Sequence, residues 1–180
     1  MKNIVIAITC VTGKMVPYVL KKLKQSKIFN YRIIGLSNEL FKDKIPIFLD
    51  SFHRVPLGED SSYNSQIIEI VKKEKIEFIL PWSDEEAISL SRITEELLIL
   101  NCKLLCGSEE CLNKTSNKFF CYEKLKEAGL RYPNYKLTKN ILELKIAINE
   151  FNYPRKTIVI KPLNSRGGRG VTFLAGDENI

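Results

Sequence analysis

Residues 4–8, Ile-Val-Ile-Ala-Ile, are apolar at every position. A strand with one solvated face alternates apolar and polar residues, so an unbroken apolar run must be covered on both faces. That points to a parallel sheet, whose crossover helices supply both covers. A turn is expected over residues 9–13, then a helix over 16–26 with Pro17 tolerated in its first turn. Residues 31–36 read as a second buried strand. Residues 38–60, broken by Pro46, Pro56 and Gly58, are expected to be irregular. Ser61 or Ser62 can cap a helix to about Lys75, with Ile67, Ile68, Ile70 and Val71 in one stripe. Residues 78–80 are a third strand closed by Pro81, residues 84–98 a helix, and residues 103–105 a fourth strand. Strands and helices alternating at this spacing make residues 1–107 a Rossmann-like α/β domain.

Beyond residue 107 the pattern changes. Residues 108–129 read as helical in two pieces, with Gly129 as the C-cap. Pro133 breaks the chain, and residues 135–138 could form a short strand. Asn140 caps a helix to about Phe151. Residues 157–160 form a strand that runs into Lys161-Pro162, a glycine-rich loop follows, and residues 171–174 return. Strand, glycine loop, strand predicts an antiparallel hairpin and not a βα unit. No repeat or low-complexity segment is visible.

Composition narrows the functions. The chain has 180 residues, 44% hydrophobic and 27% charged, enough for a packed core. No apolar run approaches the roughly 18–20 residues of a membrane helix, and no cleavage site follows residues 4–8, so a cytoplasmic address is expected. The net charge of +7 is uneven: residues 1–107 carry 15 basic and 13 acidic groups, residues 108–180 carry 13 and 8. A basic second half suits an anionic ligand. No basic run with interleaved aromatics appears, which disfavours nucleic acid. The five cysteines include no C-x2-C pair, and the single histidine, His53, lies far from them in sequence. Zinc binding and histidine-dependent nucleophilic catalysis are therefore disfavoured. The cysteines are expected to be free thiols.

The segment Lys161-Pro162-Leu163-Asn164-Ser165-Arg166-Gly167-Gly168-Arg169-Gly170-Val171 carries the most chemistry. Clustered glycines cost conformational entropy, so some benefit must offset them. Glycine lets backbone approach a ligand closely, and its N–H groups can line an anion-binding nest. Lys161, Arg166 and Arg169 add positive charge at the same place. The end of a buried strand is a poor place for an idle lysine.

At these residues the chain resembles the ATP-grasp superfamily, whose phosphate loop reads like K-P-x-x-G-x-G-G-x-G-V between antiparallel strands. Ser165 stands at the first glycine of that pattern. The stretch Thr115-Ser116-Asn117-Lys118-Phe119, with Leu125, Gly129 and Pro133, is similar to the family's segment of Asp-Lys, a later Leu and then x3-G-I-P-x-P, with Asn117 in place of Asp. Residues 76–86, Ile-Glu-Phe-Ile-Leu-Pro-Trp-Ser-Asp-Glu-Glu, resemble I-D-x-[IL]-[IL]-P-x-x-D-x-E from the preceding domain of carbamoyl-phosphate-synthase-type members.

The resemblance implies a Rossmann-like pre-ATP-grasp domain over 1–107 and the start of an ATP-grasp domain over 108–180. It implies an ATP-dependent ligase that activates a carboxylate as an acyl phosphate for attack by an amine or other nucleophile. ATP would be bound by Lys118, Lys161, Ser165, Arg166, Gly167, Gly168 and Gly170. Phosphoryl transfer needs mostly positioning and charge neutralisation, which lysines and oriented amides supply. Gly13, Asp84 and Glu86 are weaker candidates on the substrate side, at strand ends where open α/β sheets bind ligands. Asp84 could equally cap a helix and Glu86 complement its dipole. Thr12-Gly13-Lys14 fails as a Walker A loop, because position 8 is Ile and position 15 is Met.

Mg²⁺ is expected with ATP, but its acidic ligands lie well past the glycine loop in the family, and the chain reads as the front of a longer enzyme. Alone it is expected to fold, to bind ATP weakly and not to turn over. Its partners are ATP, a small carboxylate and an amine-type acceptor, with no membrane or nucleic acid, and a homo-oligomer is compatible with this. The alternatives are a non-catalytic Rossmann-like nucleotide-sensing or interaction module and a basic nucleic-acid binder.

Overall fold

The structure is a computed structural model that describes residues 1–38, 45–165 and 167–176. It separates into two compact units, Met1–Leu112 and Asn113–Ile180.

The first unit is a five-stranded parallel sheet in the order β3-β2-β1-β4-β5. Its strands are β1 (Lys2–Ile8), β2 (Phe29–Ser37), β3 (Ser51–Arg54), β4 (Phe78–Leu80) and β5 (Lys103–Leu104). The apolar run lies on β1, at the centre, paired to β2 and β4. Ile6 and Ile8 face one core with Val16 and Leu20 of helix α1 (Val16–Lys24). Ala7 faces the other, with Tyr63, Ile67 and Val71 of α2 (Tyr63–Glu74) and Leu90 of α3 (Asp84–Ser91). Successive residues of one strand are thus buried on opposite sides, as the sequence requires. Each fully buried Ile or Leu contributes about 1.5–3 kcal/mol.

Two expectations in this unit need correction. Residues 38–60 are not irregular throughout, because β3 pairs in parallel with β2, Ile34 opposite Ser51 and Ser37 opposite Arg54. β3 is a four-residue edge strand of sequence Ser-Phe-His-Arg, so its one apolar side chain gives no visible period. The helix expected over 84–98 is broken into α3 and α4 (Thr94–Ile99). At the break the Ser91 hydroxyl donates to the Ile88 carbonyl and that of Thr94 to the Ser91 carbonyl, each at 2.8 Å. Such local bonds compete with the helical ladder.

Helix α5 (Glu109–Ser116) spans the division between the units. The second unit continues with α6 (Lys118–Glu127), α7 (Ile141–Glu150) and the hairpin β6 (Ile158–Ile160) with β7 (Thr172–Leu174). The hairpin is antiparallel, as expected from the glycine loop between its strands. Asn140 caps α7 by accepting from the Glu143 N–H at 2.9 Å. Residues 135–138 are not a strand. Instead, Tyr135 packs among the rings of Phe119, Tyr122 and Tyr132, and its hydroxyl donates to Glu123. Among the described residues no helix is long and apolar enough to cross a membrane.

Candidate functional site

In the second unit, Asn117 is the N-cap of α6, its side-chain oxygen accepting from the Phe120 N–H at 3.0 Å. It therefore fills the role an Asp would fill there. Asn117 also forms an isolated antiparallel bridge with Asn164, and the Lys118 N–H donates to the Leu163 carbonyl at 3.1 Å. These bonds bring the start of α6 to the segment leaving β6. The Lys118 ammonium donates to the Ser165 carbonyl at 2.9 Å and to its hydroxyl at 3.1 Å.

Gly167, Gly168 and Gly170 all have positive φ, at 57°, 75° and 68°. Only glycine adopts this conformation at little cost, so the backbone shape itself accounts for their clustering. A Cβ on Gly170 would lie 2.7 Å from the Pro162 ring, so the Lys-Pro lead-in closes against the loop's far end. The Val171 N–H donates to the Gly168 carbonyl at 3.2 Å and closes the turn. Arg166 lies outside the described residues.

Lys118 and Lys161 line the same cleft, a space of about 390 Å³ whose walls include Phe119, Tyr122, Tyr135 and Val159. That volume falls in the range of small-molecule sites. Aromatic and aliphatic walls beside two cations suit a ligand with a planar apolar end and an anionic end. β6 is only partly covered, and Lys161 at its end is exposed, not buried. Lys161 is thus not a buried charge, and what distinguishes it is its place on the cleft. The Glu123 carboxylate, accepting from the Tyr135 hydroxyl, pushes that phenol up to about 12. The aromatic wall had one sequence signal, Phe119 and Tyr122 three residues apart on α6.

In the first unit the carboxyl edge of the sheet carries a second cluster. Glu86 is buried at 7% exposure. Its Oε2 accepts from the Thr9 hydroxyl at 2.6 Å and the Ser83 hydroxyl at 2.9 Å. The Thr9 oxygen in turn accepts from the Trp82 N–H at 3.0 Å. Burial pushes the Glu86 carboxyl above its ordinary value, against the pull of bonds from Thr9, Ser83 and the Cys10 backbone. Ser83, not Asp84, caps α3, and Asp84 lies exposed in the first turn. Gly13 lies beside Trp82: a Cβ there would sit 3.5 Å from the indole. The Tyr63 hydroxyl, fully buried in this unit, has no hydrogen-bond partner. The sequence pointed to Glu86 and Gly13 but gave no sign of Thr9, Ser83 or Tyr63.

Among the described residues no group of three or more His, Cys, Asp or Glu side chains is placed to hold a metal ion. Cys10, Cys102, Cys106, Cys111 and Cys121 form no disulfide among the described residues.

Residues 115–179 match the family model of the ATP-grasp domain. Over 150 residues the chain is 27% identical to the carbamoyl phosphate synthase large chain of Campylobacter jejuni, which covers 82% of this chain and 13% of that one. Over 116 residues it is 30% identical to the formate-dependent phosphoribosylglycinamide formyltransferase of Wolinella succinogenes, covering 63% of this chain and 28% of the relative. The chain thus spans less than a third of the length of either. Among solved structures it is similar to N5-carboxyaminoimidazole synthetase from Staphylococcus aureus complexed with ADP. The TM-score there is 0.66 at 15% identity, over 99% of this chain and 43% of that one. It is also similar to the biotin carboxylase domain dimer of Hydrogenobacter thermophilus 2-oxoglutarate carboxylase, in complex with MgADP, ADP and bicarbonate. That TM-score is 0.65 at 14% identity, over 96% and 38% of the two chains.

Proposed function

We propose that the protein is an ATP-grasp enzyme, an ATP-dependent ligase joining a carboxylate to an amine, as the match of residues 115–179 to the ATP-grasp domain supports. In this reading residues 1–107 are the pre-ATP-grasp domain and residues 108–180 begin the ATP-grasp domain. A carboxylate oxygen takes the γ-phosphoryl group of ATP and releases ADP. The amine nitrogen then attacks the carbonyl carbon and expels phosphate. The address is the cytoplasm, and self-association, as in the dimeric carboxylase domain, belongs to the same reading.

The observation that carries the proposal is that Lys118 and Lys161 line one cleft and that Lys118 is hydrogen-bonded to Ser165 at the start of the glycine loop. Lysines meet phosphate as point charges, and they need not be deprotonated or moved for the reaction. The amides of Gly167 and Gly168 supply backbone donors where a Cβ at either position would meet nothing within 4 Å. The apolar wall of Phe119, Tyr122 and Val159 takes the base. Mg²⁺ would add charge neutralisation at the phosphates, but no residue set described in this chain fits it as a ligand cage. Gly13, Asp84 and Glu86 form the substrate side of the proposal, with Glu86 held in place by Thr9 and Ser83.

The test is ligand-observed NMR with MgATP, which reads weak binding, followed by ADP release with a panel of carboxylates and amines. Binding that Lys161→Ala weakens, with any ADP release depending on a carboxylate, is the expected result. An absence of nucleotide binding together with salt-sensitive retention on DNA would overturn it in favour of a nucleic-acid binder. Tight nucleotide binding with no carboxylate-dependent release from any form of the protein would favour a sensing module.

A further inference from the structure

The Lys118 ammonium has three N–H donors and no acceptor. Two of them are committed to one residue, the carbonyl and the hydroxyl of Ser165. One donor is left for the cleft that Lys118 lines. The flanking backbone is joined twice more, by the Asn117–Asn164 bridge and by the Lys118 N–H on the Leu163 carbonyl. A glycine at position 165, which the loop pattern would put there, offers a carbonyl but no hydroxyl. The second bond to the lysine therefore depends on the serine side chain.

We propose that Ser165 is a positioning residue for anion binding, acting through Lys118. The inference rests on the nucleotide reading of the cleft. A free lysine tail has about 2 kcal/mol of rotamer entropy to lose when it grips a ligand. A tail already fixed at two donors has less to lose, and the ligand meets a charge in place. The carbonyl and hydroxyl are neutral acceptors, so the ammonium keeps its full charge for phosphate. The ligand class is a polyphosphate, with the nucleoside triphosphate as its larger member. Inorganic triphosphate should share the effect, because the base plays no part in it.

The experiment measures MgATP and inorganic triphosphate affinity of the whole 180-residue chain by ligand-observed NMR. The variants are Ser165→Ala, Ser165→Thr, Lys118→Met and the double variant Lys118→Met with Ser165→Ala. Losing the bond that fixes the lysine tail should weaken both ligands about three- to tenfold in Ser165→Ala, the scale of a typical net hydrogen bond. Ser165→Thr, which keeps the hydroxyl, should restore most of the loss. In the Lys118→Met background the alanine should change nothing further, because the group it positions is gone. Equal losses in both backgrounds, or affinity in Ser165→Ala that matches or exceeds the unchanged chain, would overturn the proposal. A chain that binds MgATP normally with Ser165→Ala sinks this inference alone. A chain that binds neither ligand in any form sinks the nucleotide reading and this inference with it.

Discussion

In the first unit a parallel sheet is covered on both faces, and among the described residues every buried apolar side chain except Ala147 lies there. The second unit keeps its apolar residues near the surface: Ile141, Leu142, Val159 and Phe173 are all exposed. Charge divides just as sharply. Residues 1–112 carry 15 basic and 15 acidic groups, while residues 113–180 carry 13 and 6, so the whole surplus of +7 belongs to the second unit. The first unit thus holds nearly all of the buried apolar residues, and the second holds the surplus of cations. Hydrophobic burial sets where stability resides, and segments with few buried apolar contacts open more readily.

The largest expected effect breaks that comparison if it fails. Ile8→Ala, at a fully buried position on the central strand, should destabilise the first unit by about 2–5 kcal/mol in urea titration. Val159→Ala, on the exposed side of the hairpin, should move stability by less than about 0.5 kcal/mol. Similar losses at both positions would show that burial does not separate the units.

Next in size are the loop variants. Gly168→Val forces a branched side chain into a backbone at φ 75°, and Lys161→Ala removes a cation from the cleft. Each should weaken MgATP binding by about 1.5–3 kcal/mol, the scale of a hydrogen bond to a charged group. The thermal unfolding of the first unit should not move. Unchanged affinity in both would remove the loop from nucleotide binding.

The smallest effect is a pH dependence in the first unit. Glu86 titrates higher in the folded chain than its ordinary value of 4.5, so the folded state binds that proton more tightly. The stabilising contribution is full below that ordinary value and is lost as pH rises through the folded value. Glu86→Gln cannot lose a proton. The difference in melting temperature, variant minus unchanged chain, should therefore grow from pH 4 to pH 7. A flat difference would mean that burial of this carboxyl carries no such penalty.

What the sequence made legible follows from how local each signal is. The apolar run of residues 4–8 and the triplet 78–80 are strands because burial on both faces writes itself into consecutive residues. The antiparallel hairpin was legible from strand, glycine turn and strand. β3 was not, because an edge strand with one apolar residue has no period. The break after Ser91 depends on two hydroxyls choosing carbonyls, which an amphipathic pattern does not record. At the site, resemblance pointed to Lys118 and to Ser165 separately. Their mutual hydrogen bonds span 47 residues of chain, and the Thr9–Glu86 bond spans 77, so neither leaves a local trace.

The chain has one tryptophan, and it stands 37% exposed at the sheet edge with its backbone N–H held by Thr9. The cleft of Lys118 and Lys161 is walled by tyrosine and phenylalanine instead. Light at the red edge of aromatic absorption excites indole almost alone. Its emission colour then reports how wet the Gly13–Glu86 edge is. A compound that settles at that edge should shift that colour. The two halves of the proposed reaction thus carry different optical addresses within a single unlabelled chain.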